Sequence, residues 1–347
     1  MSASRESNLA RLRDEAYVIE PGQKFEVDYF RPEDAPGVAR LYHAVYGEMF
    51  PVDYVYDPDE LVRINRGDDL FQVVGRTPKG DVVGLYALFR SAPGRKIMEA
   101  GSWIVHPDYR KSTLGTRLAL KLHNEPPEHL GLEVIYGQSV CDHIITQKLA
   151  QRLKGKFSAL EIEAMPPRPG EADAYGRISL MDGFVFLHNR PDTVHLPARY
   201  EAQLRRIYDW TGLDRTLQPD AALPANAETV AEVKPMEGAE LVQIEVRSVG
   251  AGFAEFLADV ERDHPGLHTY HLVLPLWLPG STKAVEAANN AGFFLGGVLP
   301  LWFDRDALLM QKVAGTPDFT KPRLHSEESR ELLGMIEADW RTQQNTD

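Results

Sequence analysis

The chain has 347 residues, 43% hydrophobic and 26% charged, with 38 basic and 51 acidic side chains and a net charge of −13. Its length predicts two domains, each able to bury a core, and its composition is that of a soluble globular protein. The acidic balance argues against broad nucleic-acid contact, the single cysteine, Cys141, excludes an internal disulfide or a multi-cysteine zinc cage, and no apolar run approaches the roughly 18 residues of a membrane span.

The opening Met-Ser-Ala-Ser-Arg-Glu-Ser lacks the basic-then-apolar pattern of a signal peptide, so a cytoplasmic location is expected. Residues 1–23 read as a polar extension, helical over 8–16, closed by Pro21-Gly22. A strand over 24–30 precedes Arg31-Pro32-Glu33-Asp34, a helix start with acids in its first turn, and the amphipathic run Val38, Leu41, Tyr42, Val45. An aromatic loop follows with Phe50, Tyr54 and Tyr56, read equally as packing or as a substrate wall. Then come a helix over 59–66 and strands over 71–76 and 82–90, joined by the turn Thr77-Pro78-Lys79-Gly80-Asp81.

The stretch 97–124 organises the chain. It opens as a strand that is apolar on both faces and ends at Pro107, which cannot supply a ladder donor. It closes as a helix with Leu114, Leu118 and Leu122 four apart. Between them lie Arg110, Lys111, Ser112, Thr113, Leu114, Gly115 and Thr116, a turn whose amides at a helix start form an anion site suited to a pyrophosphate. The alternative is a strand–turn–helix that binds no phosphate. Further on, a strand over 132–140, a helix over 142–153 with Ile145, Leu149 and Leu153 on one face, and strands over 160–165 and 178–187 complete a sheet.

Val105, Pro107, Arg110, Gly115 and Leu118 resemble the acetyl-CoA signature of the GNAT acyltransferases, with Thr113 where a first glycine is usual. A threonine needs an ordinary negative φ, so the loop closes less tightly than the family's. The element order over 24–190 is also similar to that family. The resemblance implies an α/β (α+β) fold with a mixed, mostly antiparallel sheet flanked by helices. It implies acetyl-CoA or another acyl-CoA as co-substrate, no metal, and pantetheine held along the backbone of Trp103, Ile104 and Val105 much as an added strand.

Residues 191–228 read as a helical connection (Tyr200, Leu204, Ile207, Tyr208, Trp210) followed by a linker over 221–226. Strands over 230–233, 241–249, 271–277, 292–303 and 308–313, with helices over 251–260 and 282–290, form a second lobe, 229–315. Its end resembles the last third of a GNAT domain and shows no counterpart of the Arg110 to Thr116 loop, so the lobe is expected not to bind CoA. The tail, 316–347, ends in an amphipathic helix from Ser326 that docks on the body or meets another subunit; a homodimer is left open.

Acyl transfer from a thioester to an amine needs a base for the amine, donors for the oxyanion and an acid for the leaving thiolate. The resemblance makes Glu99 the base; strand alternation places it with Gly101 and Trp103. A glutamate at a solvated strand end paired with Arg95 or Lys96 is the alternative. The family's acid is a tyrosine on the helix over 142–153, which has none; Ala150 stands near its position, and His143 is the candidate instead. Against it stands a solvent-facing helix-start histidine. Cys141 reads as a small apolar residue rather than a nucleophile, and Pro265-Gly266 breaks any helix that would join His264 and His268 as metal ligands. His188 and His195 flank a proline-containing loop without an acidic pair at ligand spacing, and Arg152, Lys154 and Lys156 read as a solvated helix end or a contact to the 3′-phosphate. The expected function is acyl transfer to a small-molecule amine, with no nucleic-acid or membrane partner. The competing readings are an acyl-CoA sensor or scaffold and, against the acidic balance, a tRNA-dependent transferase.

Overall fold

A computed structural model describes residues 3–15, 17–50, 52–126, 128–167, 176–223 and 226–344, with the side chains of residues 3 and 4 left aside. Ala16, at the end of the expected first helix, and Pro224 and Ala225 of the expected linker lie outside the described residues. The fold is mixed α/β, with mostly antiparallel strands flanked by helices. Two compact units divide it, Met1–Ile135 and Tyr136–Asp347.

The first unit holds α1 (Ala3–Glu15), β1 (Glu26–Tyr29), α2 (Ala35–Tyr46), α3 (Pro58–Asn65), β2 (Leu70–Arg76), β3 (Val82–Phe89), β4 (Ile97–Val105) and α4 (Leu114–Asn124). β1 to β4 pair antiparallel in chain order. Pro58 and the Asp57 carboxylate, which accepts the amides of Asp59 and Glu60, start α3. On one face Val38, Leu41 and Tyr42 of α2 pack with Leu85 and Ile104, and Leu9 and Leu12 of α1 join the same core. The N-terminal segment is therefore a packed helix from Ala3 onward, where the sequence suggested a polar extension helical only from Asn8. Leu9 and Leu12 are buried on it, and so is Arg5.

β5 (Val134–Val140) straddles the division. The second unit continues with α5 (Ile145–Arg152), β6 (Lys156–Met165), β7 (Ile178–Phe186), β8 (Asp192–Leu196), α6 (Glu201–Thr211), β9 (Arg215–Pro219), β10 (Val230–Met236) and β11 (Leu241–Ser248). α7 (Phe253–Asp263), β12 (Thr269–Pro275), α8 (Ser281–Asn290), β13 (Phe294–Leu299), β14 (Ala307–Val313) and α9 (Glu327–Gln344) follow. Its strands run β5-β7-β6-β13-β14-β12-β11-β10; β11 and β12 pair parallel, while β6–β7, β6–β13, β13–β14, β12–β14 and β10–β11 pair antiparallel.

An arrangement recurs within this unit. In β5-α5-β6-β7 the last strand inserts between the first two, and in β12-α8-β13-β14 it does so again. β6 and β13 meet antiparallel at Ala159 and Gly297. Gly297 has φ +133°, and a Cβ there would lie 2.3 Å from the Ser158 carbonyl oxygen, so glycine is required at this crossing. The short parallel pair β8–β9 around α6 was not expected from sequence. α9 docks on its own chain: Asp339 accepts from the Tyr200 hydroxyl (2.7 Å), the Leu295 amide (2.9 Å) and Arg199 (2.9 Å), while Leu332 and Ile336 are buried.

Candidate functional site

The start of α4 is fixed from two sides. Gly75 of β2 and Gly84 of β3 stand directly opposite each other, and a Cβ at Gly75 would come within 2.5 Å of Leu114. One at Gly84 would lie 2.8 Å from Leu114 and 2.9 Å from Leu118. The two glycines form a saddle into which the first turns of α4 sink their leucines. From β4, the Trp103 indole donates Nε1–H to the Gly115 carbonyl at 3.1 Å, and its ring lies 3.1 Å from where a Gly115 Cβ would be. Gly115 is thus a close-approach residue. The saddle had a faint signal in sequence, two glycines flanking the 77–81 turn.

The turn itself differs from the continuous run of open amides that its sequence suggested. Arg110 donates its N–H to the Pro107 carbonyl (3.3 Å) and Ser112 to the Tyr109 carbonyl (3.1 Å). Leu114 donates to the Ser112 hydroxyl (3.2 Å), which itself donates to the Tyr109 carbonyl at 2.6 Å. Those of Lys111, Thr113, Gly115 and Thr116 have no acceptor among the described residues. Thr113 sits at the helix cap with φ −79°, an ordinary value for threonine. Four amides remain open at a helix start, a geometry that favours an anion. The Arg110 side chain folds back, its Nε donating to the Val105 carbonyl at 3.3 Å.

β4 carries a bulge. Leu85 pairs with Ile104 and Ala87 with Gly101, so two β3 steps answer three on β4, and Ser102 takes φ +52° to absorb the extra residue. Glu99 and Gly101 therefore share the face of Ile104, and Trp103 points to the other. Strand alternation, which grouped Glu99 with Trp103, fails here because the bulge resets it. Glu99 is half-buried and its Oε2 accepts the Ser91 hydroxyl at 2.7 Å. On the opposite face Tyr86, buried and influenced also by the Glu99 charge, has its phenol held well above the usual range, burial being the larger cause. Its ring lies 6.1 Å from Trp103 and 5.8 Å from His123. His123 is buried, with no partner for either ring nitrogen among the described residues, and burial pulls its pKa down to about 4.

The α2 face presents an aromatic cluster. Phe50 stands edge-on to Tyr42 (4.8 Å) and lies 5.1 Å from Tyr46. The buried Tyr42 phenol faces Ser102, and burial raises its pKa. Burial likewise raises Tyr46, an effect that the Arg110 charge partly offsets.

In the second unit His143 lies in the turn before α5. Its Nδ1 accepts the Ile145 amide at 3.4 Å, which leaves the proton of a neutral ring on Nε2. α5 is shorter than its sequence pattern, and its apolar face is not what it buries: Ile145 is 64% exposed, while Gln147 is fully buried. Gln147 donates to the Arg323 carbonyl (2.8 Å) and accepts the His325 amide (2.9 Å), tying the tail to α5. Cys141 is buried, its thiol pushed up by burial and by nearby carboxylates, which suits a packed residue and not a nucleophile. His268 bonds Glu163 at 2.8 Å, and among the described residues no three His, Cys, Asp or Glu side chains converge as for a metal ion.

No protein-family model and no curated protein matches the sequence. Over about half its length the chain is similar to solved acetyltransferases, one of them described as a member of the GNAT family. A Desulfovibrio desulfuricans protein of that family is 13% identical, with 48% of this chain and 100% of that one covered and a TM-score of 0.38. The Salmonella typhimurium yncA structure with its cofactor acetyl-CoA is 19% identical over 49% and 98% of the two chains, TM-score 0.39. Spermidine/spermine N-acetyltransferase SpeG from Vibrio cholerae is 14% identical over 47% and 92%, TM-score 0.36.

Proposed function

We propose that this chain is an acyl-CoA-dependent N-acyltransferase, with acetyl-CoA the expected donor, that passes the acyl group to a small-molecule amine by direct attack in a ternary complex. The observation that carries the proposal is the start of α4. Four amides without acceptors among the described residues stand at a helix end braced by the Gly75–Gly84 saddle and by Trp103. A diphosphate accepts from such amides. In this reading Lys111, Thr113, Gly115 and Thr116 offer their N–H groups. Ser112 and Leu114 shape the turn, Arg110 adds positive charge, and the main chain of Trp103, Ile104 and Val105 lies along pantetheine. Residues 24–190 would be the acyl-CoA domain and 229–315 a GNAT-like lobe without a CoA loop, in a cytoplasmic protein.

The acyl-CoA supplies a thioester. Glu99 takes a proton from the incoming amine, positioned by the Ser91 hydroxyl. As the C–N bond forms and the C–S bond breaks, a proton must reach the thiolate; the one that Glu99 has taken balances it, and the Nε2–H of His143, on the turn before α5, is proposed as a hydrogen-bond donor to the cofactor. Three engaged amides in the turn and a helix α5 without tyrosine favour one competitor, a protein that binds acyl-CoA without turning it over.

Calorimetry with acetyl-CoA, followed by thiol release over an amine panel, separates the two. Binding with amine-dependent release supports transfer; binding alone supports the sensor. Glu99→Gln should lower release by about 10²–10⁴-fold with acetyl-CoA affinity unchanged. An unchanged pH–rate profile would remove Glu99 from its role.

A further inference from the structure

We infer that Arg5 of α1 is a positioning residue for the acceptor side of this site: it fixes the 47–56 loop and, through Phe50, the aromatic cluster facing the β4 bulge. The inference rests on the function proposed above. The side chain of Arg5 is only 7% exposed, although it sits on the first helix of the chain. Its Nη1 donates to Asp53 Oδ1, and its Nη2 to the carbonyls of both Glu48 and Phe50, each at 2.7 Å. The guanidinium also lies 5.0 Å from the centroid of the Tyr56 ring.

Among the described residues neither of those two carbonyls receives a backbone N–H, so the rigid fork of one arginine does what a ladder would do in a strand. Tyr56 closes the same loop from within. Its hydroxyl donates to the Gly47 carbonyl (2.8 Å) and accepts the Phe50 amide (3.2 Å). Phe50, clamped at both its carbonyl and its amide, then packs on Tyr42 and Tyr46. Tyr42 faces Ser102, the residue that forms the bulge, and Tyr46 feels the charge of Arg110. The path from the first helix thus runs through Phe50 to Tyr42 and Tyr46, whose phenols feel Ser102 and Arg110 in turn. Asp53 is half exposed and can hydrate without Arg5, so loss of the arginine should loosen the loop and not unfold the unit.

The test uses the full chain with Arg5→Gln, Arg5→Lys and, as a control on the same helix, the exposed Arg11→Gln. Amide exchange over 47–57 should quicken about tenfold in Arg5→Gln and not in the control, with exchange in β2 and β3 unchanged. Acetyl-CoA affinity should hold, while KM for the best of spermidine, L-lysine methyl ester and kanamycin rises about fivefold at near-constant kcat. Arg5→Lys should fall between, since a point charge cannot reach three acceptors as a fork does. Unaltered exchange over 47–57 in Arg5→Gln overturns the inference, and so does faster exchange spread evenly over the unit. A wild type that binds no acetyl-CoA refutes the proposed function instead, and the exchange comparison still decides whether Arg5 braces the loop.

Discussion

Gly84→Ala should damage both stability and acetyl-CoA binding, because one added methyl reaches the residues that seat α4. Its Cβ would lie 2.8 Å from Leu114 Cδ2, 2.9 Å from Leu118 Cδ1 and 3.0 Å from Leu114 Cγ. Both leucines are fully buried, so neither can swing into solvent. Overpacking of this kind costs about 1–3 kcal/mol, and the stiffer unfolded chain of alanine returns about 0.4–1 kcal/mol. A net loss of about 1–2 kcal/mol follows, most cheaply relieved by lifting the start of α4 off the saddle. That shift moves the four open amides, and a loss of about 1 kcal/mol in ligand contacts is about fivefold in Kd. Amide exchange of α4 across a urea series reads the first effect, and calorimetry reads the second. Gly238→Ala is the control, because nothing lies within 4 Å of its added Cβ. The saddle reasoning fails if Gly84→Ala leaves both the α4 midpoint and the acetyl-CoA affinity where the control leaves them.

His123 supplies a pH signature. Its pKa falls from 6.5 to about 4 on burial, so the unfolded chain binds the proton more readily. Stability is whole above pH 6.5 and declines as pH drops through 4, by about 3 kcal/mol in all at about 1.4 kcal/mol per unit of pKa shift; His123→Leu should flatten that limb in urea titrations at pH 4 to 7. Trp103→Phe keeps an aromatic ring but loses the bond to the Gly115 carbonyl, worth about 1 kcal/mol, and should weaken acetyl-CoA binding several-fold by calorimetry. Asp306→Ala removes the fully buried carboxylate that takes two bonds from Arg215 (2.7 and 3.1 Å), one from Tyr208 (3.0 Å) and one from the Leu301 amide (3.1 Å). Breaking such a pair costs about 3–5 kcal/mol, which thermal unfolding should show as a large drop in Tm without change in acetyl-CoA affinity.

Strong local patterns carried well from sequence to structure. The Thr77–Asp81 turn, the strand ending before Pro107 and the four-residue spacing of Leu114, Leu118 and Leu122 each specify their element almost alone. What escaped depends on partners distant in the chain. Nothing near Ser102 signals a positive φ, so the face of Glu99 could not be read by counting. Gln147 looks like a surface residue of α5 until the tail arrives 176 and 178 positions later to bond its amide. α1 appeared polar because its two buried leucines are outnumbered by charges, one of which, Arg5, is itself buried. The pair β8–β9 is too short for an alternation signal and is held by Arg215 and Arg305 reaching Asp306 and Asp192.

The antiparallel meeting of β6 and β13 means that neither strand keeps an open edge. A protease that nicked the stretch between β9 and β10 would therefore leave two fragments stitched by main-chain bonds, by Ser158 donating to the Val298 carbonyl and by Gln311 reaching the Leu160 carbonyl. The cut chain should migrate as one particle until denaturant is added, and its later half, released alone, would expose a raw strand border prone to capture another copy of itself.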